Sequence, residues 1–272
     1  TEYQPSHLLV PYIDNYWEFK GNPDYGMRIH ILPDGCTDFI FTLGEVANAV
    51  EEGSLMMQPY RSYFVGPMTK YSELVTYTES IHMFGVRFLP CGLSCFTNLP
   101  LHEFVNSRVS TNEMKAVFDD TFIERLGEQK HVADRIRVVE EYLLAYLARH
   151  YQPADSHVAM AVNMINHSEG KRSVRSLMDD VCLCQRHFER KFKHYTGFTP
   201  KEYSRIVKFK NAVELLRTTT SANLLTTAVD AGYYDLAHFS KEIKSMSGNT
   251  PASFLSLTVP EETTLTYIEP QR

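Results

Sequence analysis

The C-terminal part of the chain contains one pattern written twice. His187-Phe188, Arg190, Phe192-Lys193, Gly197 and Thr199-Pro200 recur 51 positions later as His238-Phe239, Lys241, Ile243-Lys244, Gly248 and Thr250-Pro251. An apolar helical segment precedes each copy: Val174, Leu177, Met178 and Val181 before the first, Leu224, Leu225, Ala228 and Val229 before the second. Each copy therefore reads as helix, short turn, basic helix and a Gly-x-Thr-Pro stop, the outline of a helix-turn-helix. Two copies are too few for a solenoid, so a tandem reader of something itself repetitive fits better. Double-stranded DNA, whose major groove recurs about every 34 Å, has that repeat.

Charge divides along the same line. The chain carries −6 overall, but residues 1–154 hold 12 Lys/Arg against 20 Asp/Glu, and residues 155–258 hold 14 against 10. Basic charge sits with the repeat, as a phosphate-binding module requires. Residues 259–272 read as an acidic tail. No run approaches 18 consecutive apolar residues and no secretory pattern opens the chain, so a soluble, cytoplasmic protein with no membrane partner is expected. Cys36, Cys91, Cys95, Cys182 and Cys184 lack zinc-finger spacing and fit a reducing compartment. Cys91/Cys95 and Cys182/Cys184 read as redox or metal pairs, or as small half-buried helical residues.

The predicted fold class is α+β: a β-barrel-like front domain with trailing helices, then an all-α tandem helix-turn-helix domain. Met27–Ile31 alternates before the Pro33-Asp34-Gly35 turn, where Asp34 is ordinary turn chemistry. Phe39–Phe41, Tyr63–Val65, Tyr71–Tyr77 and Ile81–Phe88 complete an aromatic-rich strand set. Helical periodicity takes over from about residue 90. Its strongest stretch, His131–Tyr151, places Val132, Ile136, Val139, Leu143 and Tyr146 at near-heptad spacing. That seam serves either a homodimer or a helix packed on its own barrel. Gln152-Pro153 breaks it, which divides the chain into 1–152, 153–258 and the tail 259–272.

In the rear half, Asp155 or Ser156 caps a first helix and Ser173 the next. Phe188 and Phe192 point inward from the first recognition helix, leaving Gln185, Arg186, Glu189, Arg190 and Lys193 outward. Arg reads guanine, Gln adenine, and Glu either accepts from cytosine or holds Arg186 or Arg190 in place. Lys201–Arg217 forms a rigid spacer. The second unit, with Ser221 as its cap and Gly232 at its turn, leaves Leu236, Ala237, Ser240, Lys241 and Lys244 for DNA. Lys193 and Lys244 are assigned to phosphate. His187 and His238 are read as structural.

The segment from about Ala159 to Phe254 resembles the AraC/XylS family of transcription regulators. The resemblance rests on Ala231-Gly232-Tyr233-Tyr234-Asp235, His238-Phe239-Ser240-Lys241, Lys244, Gly248 and Pro251. It implies base contacts at Arg186, Glu189 and Arg190, and at Leu236, Ala237, Ser240 and Lys241. It also implies RNA polymerase as a partner, an activator role, and a front domain that senses a small molecule or dimerises. Two departures stand out: Cys182 where the first turn often has Gly, costing about 1 kcal/mol if that residue is left-handed, and Ile243 for the usual Phe.

Leu32–Phe41, Gly85–Phe88 and Trp17 resemble a front domain common in uncharacterised members. Arg28, His30, Asp38, His82 and Arg87 are the candidate ligand residues within it. Scattered His30, His82 and His102, with no phosphate loop and no nucleophile elbow, leave no catalytic residue, metal site or cofactor to expect. A DNA-binding dimer without a ligand, set by its own abundance or by a protein partner, remains the alternative.

Overall fold

Full burial of Thr37–Thr42, six residues in a row, requires a strand covered on both faces. The computed structural model supplies both covers; it describes residues 1–49, 55–114, 117–118, 120–218, 224–254 and 266–268. The strands are β1 (Glu2–Tyr3), β2 (Ile13–Gly21), β3 (Arg28–Ile31), β4 (Thr37–Thr42), β5 (Ala47–Ala49), β6 (Ser62–Val65), β7 (Ser72–Thr76), β8 (Ile81–Phe88), β9 (Arg108–Ser110) and β10 (Thr266–Ile268). They form two antiparallel sheets, ordered β1-β2-β8-β4-β6-β9 and β10-β3-β7-β5.

Alternation sorts the first sheet into two cores. Phe39, Phe41, Phe64, Phe84 and Phe88 face helices α1 (Asp120–Gly127) and α2 (Val132–His150), meeting Phe118, Phe122, Val139 and Leu143. Ile40, Tyr63, Val65 and Met83 face the second sheet, meeting Ile29 and Leu74. The front region is thus layered as helices, sheet and sheet. Among the described residues the two sheets do not close, so the barrel-like expectation resolves into an open, helix-backed pair.

The near-heptad seam of α2 is used within the chain. Val139 and Leu143 are fully buried, and Val132, Ile136 and Tyr146 pack on the same core. Of the two uses its spacing allowed, the seam packs on the chain's own sheet.

The rear helices are α3 (Ser156–His167), α4 (Val174–Val181), α5 (Gln185–Thr196), α6 (Pro200–Thr218), α7 (Leu224–Asp230), α8 (Leu236–Ser247) and α9 (Pro251–Phe254). Asp155 caps α3 by accepting from His157 N–H and Val158 N–H, and Ser173 caps α4 through Ser176 N–H. The first stop motif starts the next helix. Thr199 and Glu202 form a reciprocal capping box, Thr199 N–H donating to Glu202 Oε2 at 2.7 Å and Glu202 N–H to Thr199 Oγ1 at 3.1 Å, with Pro200 at the first helical position. α6 touches α3, α5, α7 and α8, so its Tyr203, Ile206, Phe209, Ala212 and Leu216 are buried around more than one face.

Front and rear share their packing. Leu32 and Cys91 are built into the rear core, and Tyr71 lies against it. Tyr71 N–H donates to Met246 O at 2.8 Å, and α5 packs on the 3₁₀ turn Leu101–Phe104. The acidic tail of the sequence reading is partly ordered structure: β10 pairs antiparallel with β3, Tyr267 opposite His30. Among the described residues no helix is long and apolar enough to cross a membrane.

Candidate nucleic-acid interface

Each recognition helix is fixed by an apolar face and two caps. In α5, Phe188 and Phe192 are fully buried, each worth roughly 1.5–3 kcal/mol over exposure. In α8, Phe239 and Ile243 do the same at the corresponding positions. Asp235 starts α8 by accepting from His238 N–H at 2.7 Å; Cys184 starts α5 without a side-chain cap bond. Both helices end on left-handed glycines, Gly197 (φ 83°) and Gly248 (φ 80°), whose N–H groups return to Lys193 O and Lys244 O.

The turns before them differ. Cys182 is left-handed at φ 55° and ψ 32°, so the first turn carries the strain that a glycine would avoid. In the second turn Gly232 takes that role at φ 80°. The first turn, Cys182–Cys184, has three residues and the second, Ala231–Asp235, has five. Cys182 and Cys184 are exposed turn residues, not half-buried helical ones, while Cys91 and Cys95 are buried; all four are free thiols.

With the apolar faces inward, Gln185, Arg186, Arg190 and Lys193 stand exposed along α5 and Glu189 is half-buried. Gln185 Nε2 donates to Glu189 Oε1 at 2.9 Å, so Glu189 engages Gln185 and neither arginine. Arg186, Arg190 and Lys193 have no side-chain partner among the described residues. On α8, Leu236, Ala237, Lys241 and Lys244 are exposed and Ser240 is half-buried. Ser221, read as the second unit's cap, lies outside the described residues.

The front domain holds these helices at their C-terminal ends. A Cβ placed on Gly197 would stand 2.5 Å from Pro67 Cγ, and one on Gly248 would stand 2.7 Å from the Tyr71 ring. His194 of α5 lies 6.4 Å from His102, centroid to centroid. Burial, then the charge of His102, lowers the His194 pKa, with Glu103 opposing. Lys191 Nζ meets Asp155 Oδ2 at 2.6 Å, tying α5 to the chain entering α3. Burial alone would raise the Asp155 pKa; Lys191 and Val158 N–H reverse this and hold it below the usual value. All these contacts leave the outward residues of α5 and α8 uncovered. The sequence reading missed this docking, because Pro67, Tyr71 and His102 lie far along the chain from Gly197, Gly248 and His194 with nothing local to pair them.

The five candidate ligand residues do not share one site. Arg28 and His30 pair with Glu73, the His30 contact at 3.8 Å. His82 meets Glu18 at 2.9 Å, which Arg135 also holds at 2.8 Å. Asp38 and Arg87 are brought together, Arg87 Nε lying 3.2 Å from Asp38 Oδ1 and 3.5 Å from Asp34 Oδ2. Trp17 Nε1 donates to Asp38 Oδ1 at 2.7 Å. Burial raises the Asp38 pKa, against Arg87. Asp34 does more than turn: its other oxygen accepts from Cys36 N–H at 2.8 Å.

Two helix-turn-helix units on one continuous helix, with basic outward faces, define the class of DNA-binding transcription regulators. Residues 177–256 match a helix-turn-helix domain of the AraC type, and residues 1–110 match a domain of unknown function, DUF6597. No curated protein matches the chain. Among solved structures, ToxT from Vibrio cholerae superposes with a TM-score of 0.53 at 9% identity, covering 89% of this chain and 98% of that one. Wild-type ToxT bound to an unsaturated fatty acid gives 0.50 at 11% identity, covering 88% and 94%. The C-terminal domain of AraT, a response regulator from Geobacillus stearothermophilus, matches 40% of this chain and 92% of its own at 20% identity, with a TM-score of 0.36. The ToxT likeness is one of fold, across both parts of the chain.

Proposed function

We propose that residues 153–258 bind DNA by placing α5 and α8 in two successive major-groove segments, while residues 1–152 sense and transmit a small-molecule signal. The observation that carries the first half is the pair of uncommitted basic faces on helices joined by α6. At about 1.5 Å per residue the 19 residues of α6 span roughly 28 Å, close to one DNA turn. Gln185, Arg186, Glu189 and Arg190 read bases from α5; Leu236, Ala237, Ser240 and Lys241 do so from α8; Lys193 and Lys244 take phosphates. The second helix offers fewer specific donors and adds affinity more than discrimination.

Support for the sensing half is the shared packing of front and rear, together with a fold like that of a fatty-acid-bound regulator. A cavity of about 250 Å³ lies between the front domain, the linker and α3, lined by Tyr12, Cys91, Ala154, Val162, Asn163 and Asn166. An effector seated there touches both halves. The ligand-independent alternative is favoured by one observation: Arg28, His30, Asp38, His82 and Arg87 each already face a protein partner.

The experiment is capture of genomic fragments by the full chain at near-physiological salt, followed by sequencing. A motif of two half-patterns one helical turn apart is expected. Arg190→Ala costs about 1–3 kcal/mol and relaxes one base position, whereas Lys244→Ala weakens all sequences alike and lowers the salt slope by about one. Unchanged operator binding by Arg190→Ala refutes the assigned face.

A further inference from the structure

Between the two helix-turn-helix units lies a cavity of about 380 Å³. Its walls come from the α3–α4 connection, α6 and α8, including Lys171, Lys201, Arg205, Lys208, Tyr233 and Glu242. The only carboxylate in that lining is already spent. Arg205 holds both Glu242 oxygens, Nε to Oε2 at 2.9 Å and Nη2 to Oε1 at 3.1 Å. Lys171 pairs with Glu169 and Arg172 with Asp180, while Lys201 and Lys208 have no ion-pair partner among the described residues.

An independent observation marks the cavity as a ligand site. Tyr233 is only 6% exposed, and its hydroxyl has no hydrogen-bond partner. Leaving a buried hydroxyl unmade is costly, so a native structure keeps one where something else completes it. Lys208 Nζ lies 5.8 Å from the Tyr233 ring centroid, presenting an ammonium and a phenol O–H together. Burial, then Lys171, lowers the Lys208 pKa against Glu242, a cost that an incoming anion reverses. Burial raises the Tyr233 pKa, keeping the phenol a neutral donor. The α4 N-terminus opens on the same space through Ser173 and Val174, its dipole favouring negative charge. The wall is rigid where this matters: Gly170, at φ 72°, leaves no room for a Cβ, which would stand 2.3 Å from Ser204 O.

We infer that this cavity is a phosphate-binding site, completed by a phosphate oxygen that accepts from Tyr233 and pairs with Lys208 and Lys201. The phosphate comes either from the DNA backbone between the two reading helices or from a free phosphorylated molecule. The site does not depend on the base-reading assignment; only its DNA arm does.

The experiment uses the full chain and four proteins: wild type, Tyr233→Phe, Lys208→Met, and Lys20→Met as a charge-matched change on the exposed end of β2. Pyrophosphate binding is followed by calorimetry and thermal shift, and salt-dependent DNA affinity is measured in parallel. Tyr233→Phe, which removes only an unpartnered hydroxyl, leaves the ligand-free chain at least as stable as wild type. For a free phosphate, pyrophosphate raises the wild-type Tm, and Tyr233→Phe and Lys208→Met each weaken its binding about tenfold. For a DNA phosphate, pyrophosphate does nothing, but Lys208→Met lowers the salt slope by about one and Lys20→Met does not. A wild type that binds pyrophosphate but no DNA supports the site while sinking the reading proposed above. A wild type that fails to bind pyrophosphate, together with a Lys208→Met salt slope no different from that of Lys20→Met, overturns the inference.

Discussion

Gly197→Ala and Gly232→Ala form a matched pair that isolates the docking of front on rear. Both glycines are left-handed, at φ 83° and 80°, so alanine costs each roughly 1–2 kcal/mol of backbone strain. Their surroundings differ. At Gly232 the new methyl meets the Lys171 side chain, 2.9 Å from Cγ and 3.3 Å from Cε, a stem that can swing aside. At Gly197 it meets Pro67 Cγ at 2.5 Å and Cβ at 2.9 Å, with Leu101 O at 3.3 Å behind. A proline ring and a carbonyl cannot step aside, so the front domain must shift, adding about 1–3 kcal/mol of overpacking. The reporter is the Tyr71 amide, whose N–H donates across the interface to Met246 O. Gly197→Ala should speed hydrogen exchange at Tyr71 by roughly 5- to 150-fold over Gly232→Ala, the ratio that such a difference implies. Equal exchange in the two variants refutes the idea that this cap is a docking point.

Removing the Arg87 guanidinium leaves Asp38 and Asp34 buried without their cation; Arg87→Leu should cost about 3–5 kcal/mol in urea unfolding, and a loss below about 1 kcal/mol counts against the pairing. Docking should also weaken in acid. The folded pKa of His194 lies below its ordinary value of 6.5, so its contribution is present above pH 6.5 and is lost as pH falls through that lower folded value. Tyr71 exchange measured from pH 7.5 down to 5 should accelerate beyond its intrinsic pH dependence, and His194→Gln should flatten that excess; an unchanged profile removes His194 from the interface energetics.

Much of the rear half was legible because the devices that define its helices are local. Caps at Asp155 and Ser173, the Phe188/Phe192 spacing and the stop glycines all lie within a few positions of what they act on, whereas the Asp235 cap of α8 was not read. In the front half, β3, β4, β6, β7 and β8 were visible as alternating or apolar runs. The nine-residue β2 was not, because a bulge between Ile13 and Asn15 breaks its alternation. The α2 seam could not be assigned from spacing, since a/d periodicity is the same whether the partner is a second copy or the chain's own sheet. Individual ligand residues failed for a related reason. Composition marked Arg28, His30 and His82 as polar groups in an aromatic domain, but their partners Glu73 and Glu18 are set by strand register. Lys208 carried no signal and Tyr233 only that of a turn motif; their shared chemistry exists only once α6 meets the turn between α7 and α8.

The antiparallel seating of Thr266, Tyr267 and Ile268 opposite Ile31, His30 and Ile29 has a kinematic consequence. A rear module joined to the front only through the 151–155 linker would be a pendulum, with wide angular freedom about a single pivot. Here the chain leaves the front domain after α2 and re-enters it at β10, so the rear module is strung between two anchors. Parting rear from front therefore requires breaking the β10 pairing as well as the Tyr71–Met246 hydrogen bond and the seat of α5 on Leu101–Phe104. A truncation before Thr266 removes one of these ties while leaving the outward residues of α5 and α8 unaltered.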